Sequence, residues 1–291
     1  MYKLLKILNK IDADIYIQRA TTPLTGFVSF FAKLKNKKFI YSASSEMDVS
    51  DNLIIKSFWD LKKLFYKFGV KYCDCVVCQT NYQINLLSKT LNKKGRLIKN
   101  LYPLSKKVSN NNGTPNFKVI WVGRIVKEKR PELFLKLAKN VPMLKFYMVG
   151  GSSEEDYGYY IKIKKSASKL KNVEFIGFVS HNEIDKYYRQ SDLLVNTSSN
   201  EGFPNTFLEA WGNNIPVVSL GFDPDGIISS HKLGLHSKTF DKMLEDIKTL
   251  IENDKLRKEM GTNSRKYVEK EHDAKKIVKE YERLIKSLIG G

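Results

Sequence analysis

From the amino end onward, the chain repeats one pattern: a short run of apolar residues, then a longer segment whose apolar residues return every three or four positions. Short apolar runs bounded by polar residues predict strands buried on both faces, and the longer segments predict amphipathic helices. In the first third the strands fall at Asp14–Gln18, Lys38–Ser42, Cys75–Gln79 and Arg96–Lys99. The segments PLTGFVSFFAKLK after Pro23, SFWDLKKLFYKF around Trp59 and YQINLLSKTL after Tyr82 are the helices between them. A polar stretch, SKKVSNNNGTPN at 105–116, has the Asn, Gly and Pro of a linker. The alternation then restarts, with strands at Phe117–Gly123, Lys145–Gly150, Val173–Gly177, Leu193–Asn196 and Pro216–Leu220. Ser180 to Glu183 (SHNE) fit a capping box opening the helix IDKYYRQ. Three charged helices close the chain.

Strands alternating with helices in this order predict an α/β fold with parallel sheets. The expected organisation is two Rossmann-like domains, residues 1–108 and 117–291, joined by a linker at 109–116. The cleft between two such domains is the default ligand site. The length, 291 residues, suits two modest domains. No apolar run of about 18 residues predicts a membrane-spanning helix. The opening MYKLLKILNKIDAD lacks the apolar core and small-residue cleavage site of a secretory signal, so the expected location is the cytoplasm. All three cysteines fall in YCDCVVCQT, where they read as small buried residues on a strand, because a metal site would need a fourth ligand close by.

Charge adds a partner class. The net charge is +19, and residues 1–110 hold 20 Lys and Arg against 7 Asp and Glu. Such asymmetry fits nucleic acid, an anionic membrane or phosphorylated substrates. The chain has no nucleic-acid motif and no basic–aromatic stripe suited to base stacking, which argues against the first. In SFWDLKKLFYKF, Phe58, Leu61, Phe65 and Phe68 follow helical spacing, with Lys56, Lys63 and Lys67 on other faces. That helix either packs on its sheet or docks on an anionic membrane.

Two segments carry the candidate chemistry. In WVGRIVKEKRPELF, Gly123 ends a strand, where it is expected to relieve crowding, and Arg124 and Lys129 bracket the start of a helix. An α/β sheet holds phosphates at this place, on basic side chains and helix N–H groups. In SSNEGFPNTFLEAWGNNIPVVS, Glu201 and Glu209 stand eight residues apart. That spacing exceeds two helical turns by about 80°, so the two do not share a helix face. With Asn205 as the N-cap, Glu201 lies in the loop before the helix and Glu209 on its second turn. The amides of Gly202 and Phe203 then form a concave donor surface for an anion or a sugar oxygen, and a carboxylate can accept hydrogen bonds from two neighbouring hydroxyls. A plain loop charge and a plain helix charge fit the same spacing.

Taken together, Gly-Arg-x4-Lys at 123–129, GFVSHNEIDKYYRQSDLLVNTS and EGFPNTFLEAWGNNIPVVS resemble glycosyltransferase family 4, which has the GT-B fold. The E-x7-E pair is that family's donor-site signature. The resemblance covers about residues 117–235, and extends more weakly over 14–104 through ADIYIQR, FIYS and CQTNYQ. It implies a retaining transfer of a sugar from a nucleotide-diphosphate sugar, with UDP-sugars first in line, to a cell-surface glycan or a lipid-linked acceptor. Arg124 and Lys129 would neutralise the donor diphosphate, beside Gly123 and the turn at Gly202. Glu209 would hold the ribose hydroxyls and Glu201 would face the transferred sugar. Amides of Phe203, Asn205 and Thr206 would contact sugar and phosphate oxygens, and Val179 would lie by the nucleobase. No cofactor or metal is expected, because two cations and a helix N-terminus can stabilise the leaving phosphate. The chain would work in the cytoplasm, peripheral to the inner face of the membrane.

Several features depart from that pattern. Two Asp-x-Asp triplets, Asp12–Asp14 and Asp223–Asp225, match the metal motif of a different glycosyltransferase fold but are misplaced relative to their strands, and Asp225 reads as a cap for GIISSH. The paired carboxylates also suit a glycosidase, which has no need of the Arg124 and Lys129 clamp. A histidine common in relatives is replaced by Ser44, Ser45 and Glu46, for which Glu46 or Asp48 could stand in. Pro204 removes one N–H from the sugar-contacting turn. The first strands of the family are not visible before Asp14, so the N-terminal domain reads as incomplete. The alternative function is therefore a donor-binding subunit or fragment, completed by a second polypeptide and inactive alone.

Overall fold

The structure is a computed structural model describing residues 2–20, 22, 24–50, 60–104 and 117–290. Two compact units emerge: Met1–Leu101 together with Ala274–Gly291, and Tyr102–Asp273. The predicted linker 109–116 lies outside the described residues, as do Lys56, Phe58, Trp59 and the side chains of Leu61 and Lys63.

The first unit opens with a helix the strand pattern does not announce, α1 (Tyr2–Ile11). Its signal is the spacing of Leu4, Leu5 and Leu8, which pack against the core while Lys3, Lys6 and Lys10 stay exposed. Strand β1 (Ile15–Arg19), helix α2 (Leu24–Leu34), strand β2 (Lys38–Ser42), helix α3 (Asp60–Tyr72), strand β3 (Cys75–Cys78), helix α4 (Asn81–Leu91) and strand β4 (Gly95–Leu97) follow. The sheet is parallel, in the order β1-β2-β3-β4. Helices α2 and α3 meet backbone to backbone: a Cβ on Gly26 would lie 2.1 Å from the carbonyl oxygen of Phe65, and one on Gly69 would lie 2.6 Å from the amide nitrogen of Gly26. Only glycine allows that approach.

The last helix, α12 (Ala274–Ile289), corrects the expected division at 117–291. Its buried Ile277 and Leu284 join Ile40, Val77 and Ile98 in a core of the first unit. Each such side chain contributes about 1.5–3 kcal/mol when removed from water, which fixes the helix to this sheet. The cysteines are free thiols; Cys75 and Cys78 lie on β3, whereas Cys73 precedes it and donates to the carbonyl of Val70 at 3.0 Å.

In the second unit each strand is followed by its helix: β5 (Lys118–Val122), α5 (Pro131–Asn140), β6 (Lys145–Val149), α6 (Tyr157–Ala167), β7 (Val173–Gly177), α7 (His181–Arg189), β8 (Leu193–Asn196), α8 (Asn205–Gly212) and β9 (Val217–Ser219). Helix α9 (Ile227–Ser230), strand β10 (Gly234–His236), and helices α10 (Phe240–Glu252) and α11 (Asp254–Glu271) complete it. The parallel sheet runs β10-β9-β8-β5-β6-β7, so strand order reverses between β5 and β8. Ligands of such sheets bind at that switch point. Alternate residues fill opposite cores: Val119, Trp121, Phe146, Met148, Leu193 and Val195 on one face, Ile120, Tyr147, Val149 and Leu194 on the other.

Strand β10 escapes the sequence pattern because it has only three residues and begins with a glycine. A Cβ there would sit 1.9 Å from the Val217 carbonyl oxygen, so the position that pairs with β9 admits no side chain.

Candidate functional site

The loops leaving β5 and β8 meet at the switch point and are stitched together. Ser199 donates its amide (2.9 Å) and its hydroxyl (3.0 Å) to the carbonyl of Glu128. Thr197 donates to the carbonyl of Lys129 at 2.6 Å and accepts from the Trp121 indole at 3.0 Å. Arg130, left-handed at φ 47°, donates to the carbonyls of Thr197 (2.6 Å) and Ser198 (2.9 Å). Sequence reasoning does not single out Arg130, which stands next to Lys129 but differs from it in role. Arg130 is a strut between the loops, while Lys129 faces the site.

Lys129 and Glu201 form an ion pair, with side chains 24% and 11% exposed. The structure thus brings together two residues that the family resemblance assigns to adjoining parts of a ligand, Lys129 to the diphosphate and Glu201 to the sugar. Arg124 is exposed on the same loop, which runs from β5 through the short turn Lys127–Lys129 to α5. The expected crowding at Gly123 is found at its neighbour instead: a Cβ on Gly150 would fall 1.8 Å from the Gly123 carbonyl oxygen, whereas one on Gly123 would meet only the Trp121 ring at 3.3 Å. Ile125 donates its amide to the carbonyl of Gly151 at 2.8 Å, which locks the β5 and β6 loops side by side.

Beyond Glu201 the turn Gly202–Phe203–Pro204 leads into α8. Pro204, not Asn205, holds the N-cap position, and Asn205 is the first helical residue. Because proline supplies no capping side chain, no side chain at the N-cap accepts from the first amides of α8, and the Phe207 amide donates to the Pro204 carbonyl at 3.1 Å. Asn205 is exposed and Thr206 half-buried at this end. Phe203 is buried against Trp211 (6.3 Å between ring centres) and His272 (5.0 Å), and His272 lies 5.6 Å from Tyr267. This aromatic seat holds the turn from beneath. Nothing in the local sequence announces it, since His272 lies at the far end of α11.

Glu209, in the second turn of α8, is held by α7. Tyr188 donates its phenol to Oε2 of Glu209 at 2.7 Å. Burial pushes the Glu209 carboxyl above the usual 4.5, and the Tyr188 bond partly offsets this. Val179, just before α7, is half-buried against the same core, while Phe178 beside it is exposed. Ser180 stands at the N-cap of α7, but its hydroxyl donates to the Glu183 carboxylate at 2.7 Å and does not accept from an amide, so the expected capping box is incomplete.

The remaining candidates have structural partners. Asp12 and Asp14 both pair with Lys37, at 3.2 and 3.5 Å. Asp223, not Asp225, caps α9, accepting from the amide of Ile228 at 2.8 Å and from the hydroxyl of Ser229 at 2.8 Å. Asp48 is buried, and its Oδ2 accepts from the Ser44 amide (2.6 Å), the Ser44 hydroxyl (2.7 Å) and the Ser45 amide (3.0 Å). Glu46 is half-buried, and burial raises its carboxyl pKa.

Comparison with known proteins is consistent with this geometry. The profile of the glycosyl transferases group 1 matches residues 104–267. The uncharacterized glycosyltransferase MJ1178 of Methanocaldococcus jannaschii is 29% identical over 245 residues, 82% of this chain and 66% of that protein. The O-antigen biosynthesis glycosyltransferase WbnH of Escherichia coli is 32% identical over 110 residues, 37% of this chain and 30% of its own length. Among solved structures, Anabaena HepE in complex with UDP and glucose aligns with a TM-score of 0.79 at 16% identity, over 98% of this chain and 80% of that one. The shared fold is GT-B.

Proposed function

The chain belongs to the glycosyl transferases group 1 family, and from that premise we propose that it moves a sugar from a UDP-sugar to a glycan or lipid-linked acceptor of the cell surface. The observation carrying this proposal is the convergence at one sheet switch point of Lys129, Glu201, the N-terminal turn of α8 and the anchored Glu209. In the transfer, the anomeric carbon loses its bond to the diphosphate and gains one to an acceptor oxygen, whose proton leaves with the products. Charge develops on the diphosphate, where Arg124, Lys129 and the first amides of α8 offset it. Glu209 accepts hydrogen bonds from the ribose, and Glu201, while orienting Lys129, faces the sugar. Retention of anomeric configuration is carried over from the family resemblance. The acceptor class is supported by the O-antigen relative and by the basic character of residues 1–110.

UDP release from a panel of UDP-sugars, measured with and without glycolipid acceptors, tests this function. Absence of both UDP binding and UDP release across the panel would sink it.

A second reading is favoured by β1. Among the described residues this strand pairs only with β2, and Ile17 on it is 52% exposed. An open parallel edge takes a further strand readily. We therefore also propose that turnover requires more polypeptide on that edge, from the same chain or another. UDP binding without turnover, restored by a complementing segment, is its signature.

A further inference from the structure

Glu209 sits at its site held by one oxygen. Its Oε2 accepts from Tyr188, which is 1% exposed in the core beneath α7 and α8. Among the described residues Oε1 takes no donor, and it is not sealed from solvent. The backbone around it is fixed as well: Asn213 donates to the carbonyl of Glu209 at 3.0 Å and to the Asp185 carboxylate at 2.9 Å, tying α8 to α7 a second time. A glutamate has three side-chain torsions, and a free one samples several carboxylate orientations. Here a rigid, buried phenol selects one.

We propose that Tyr188 is a positioning residue for nucleoside recognition: by holding Oε2 it presents Oε1 to the ribose diol of the donor, and so sets the preference for ribose over deoxyribose. The inference rests on the UDP-sugar reading above. Tyr188 suits this role chemically. A carboxylate needs a donor that never becomes a competing anion, and burial beside Glu209 pushes the phenol well above its usual pKa, so it stays protonated. The ring also packs with Ile184, Leu194 and Phe207, so phenylalanine can keep the packing and lose only the hydrogen bond.

The test is calorimetric binding of UDP and of 2′-deoxy-UDP to the full chain and to Tyr188→Phe, Glu209→Gln and the double variant. A hydrogen bond to a charged group corresponds to about tenfold or more in affinity. Tyr188→Phe is therefore expected to weaken UDP about tenfold and 2′-deoxy-UDP far less. Glu209→Gln should erase the same preference, and the double variant should lose no more than the worse single one, as coupled residues do. The ratio of the two affinities does not depend on the folded fraction of a preparation, so partial unfolding cannot imitate the result. Tyr188→Phe with an unchanged ribose preference, in a chain where Glu209→Gln loses it, overturns the role of Tyr188. An unaltered chain that binds UDP without preferring ribose overturns it as well, by removing the ribose contact. A chain that does not bind UDP at all overturns the donor reading first and this inference with it.

Discussion

Lys129 and Glu201 are 72 residues apart in sequence, yet their side chains are ion-paired at the meeting of the β5 and β8 loops. Both are less than one-third exposed, so removing one leaves the other poorly solvated. Lys129→Ala is expected to weaken UDP binding about tenfold to a hundredfold, by loss of a charge-assisted contact. It should also destabilise the chain by about 1–2 kcal/mol, because Glu201 loses its partner. Glu201→Gln keeps Lys129 available and is expected to retain UDP binding while turnover falls. Calorimetry and a UDP-release assay on the two variants check this. Equal loss of binding in both would show that the pair acts as one anion-binding unit.

Glu209 gives a pH dependence of known sign. Its folded-state pKa is raised, chiefly by burial, above the usual 4.5. Between 4.5 and that raised value the folded chain holds more protons than the unfolded one, so this group's contribution to stability rises as pH falls. Ribose recognition has the opposite dependence, because only the carboxylate accepts from both hydroxyls. UDP affinity is expected to decline as pH is lowered through the raised pKa of this buried carboxyl. Glu209→Gln should remove that decline. A decline of the same size in Glu209→Gln would assign it to another group.

Gly150 is the position most intolerant of a side chain at the site's floor. Gly150→Ala would force a methyl to within 1.8 Å of the Gly123 carbonyl oxygen, a contact that only a backbone shift can relieve. The expected cost is about 1–3 kcal/mol or more, as for other overpacked positions. Because the Gly123 loop carries Arg124 and leads to Lys129, UDP binding should weaken with it. Gly158→Ala, where an added Cβ meets nothing within 4 Å, is the control. Denaturant titration and UDP calorimetry of the two variants separate the outcomes.

Much of this is legible in the sequence, and the rest is hidden for identifiable reasons. Fully buried parallel strands such as Leu193–Asn196 are short apolar runs, and their alternation with helices fixes the fold class. Helix geometry separates the loop position of Glu201 from the second-turn position of Glu209, but their place at a donor site is legible only through the family resemblance. Their partners are not legible at all. Tyr188 reads as one aromatic on an amphipathic helix, and only the packing of α7 on α8 turns its hydroxyl toward Glu209. The seat under Phe203 depends on His272, a long-range contact with no local trace. Helix caps shift by one or two positions from their expected places: Pro204 takes the N-cap position of α8 without a side-chain bond, and the Asp223 carboxylate accepts from the amide of Ile228. The last helix falls to the other unit because its apolar spacing shows that it packs, not on which sheet.

The face formed by α2 and α3 carries the last prediction. The close approach at Gly26 and Gly69 packs the two helices tightly, and their outer surfaces expose Phe30 (50%), Leu34 (68%), Leu64 (66%) and Phe65 (39%). Phe65 stacks with Phe68 at 6.3 Å, so the aromatic residues of this face are only partly used for internal packing. Lys33 and Lys71 flank the same face, each close over the Tyr72 ring. Apolar groups rimmed by lysines suit an anionic bilayer: the rings enter the headgroup region while each nearby cation adds about 1 kcal/mol at low salt. We expect the chain to sediment with vesicles containing phosphatidylglycerol and to stay in solution with phosphatidylcholine alone. Added salt should release it, because the charge contribution is screened within about 10 Å at 0.1 M. Phe30→Ser combined with Leu34→Ser should weaken sedimentation without altering UDP binding, since neither residue belongs to the nucleotide site. Equal sedimentation with both vesicle types would remove charge from the explanation and leave the apolar side chains to account for binding, whereas sedimentation with neither would mark them as ordinary surface.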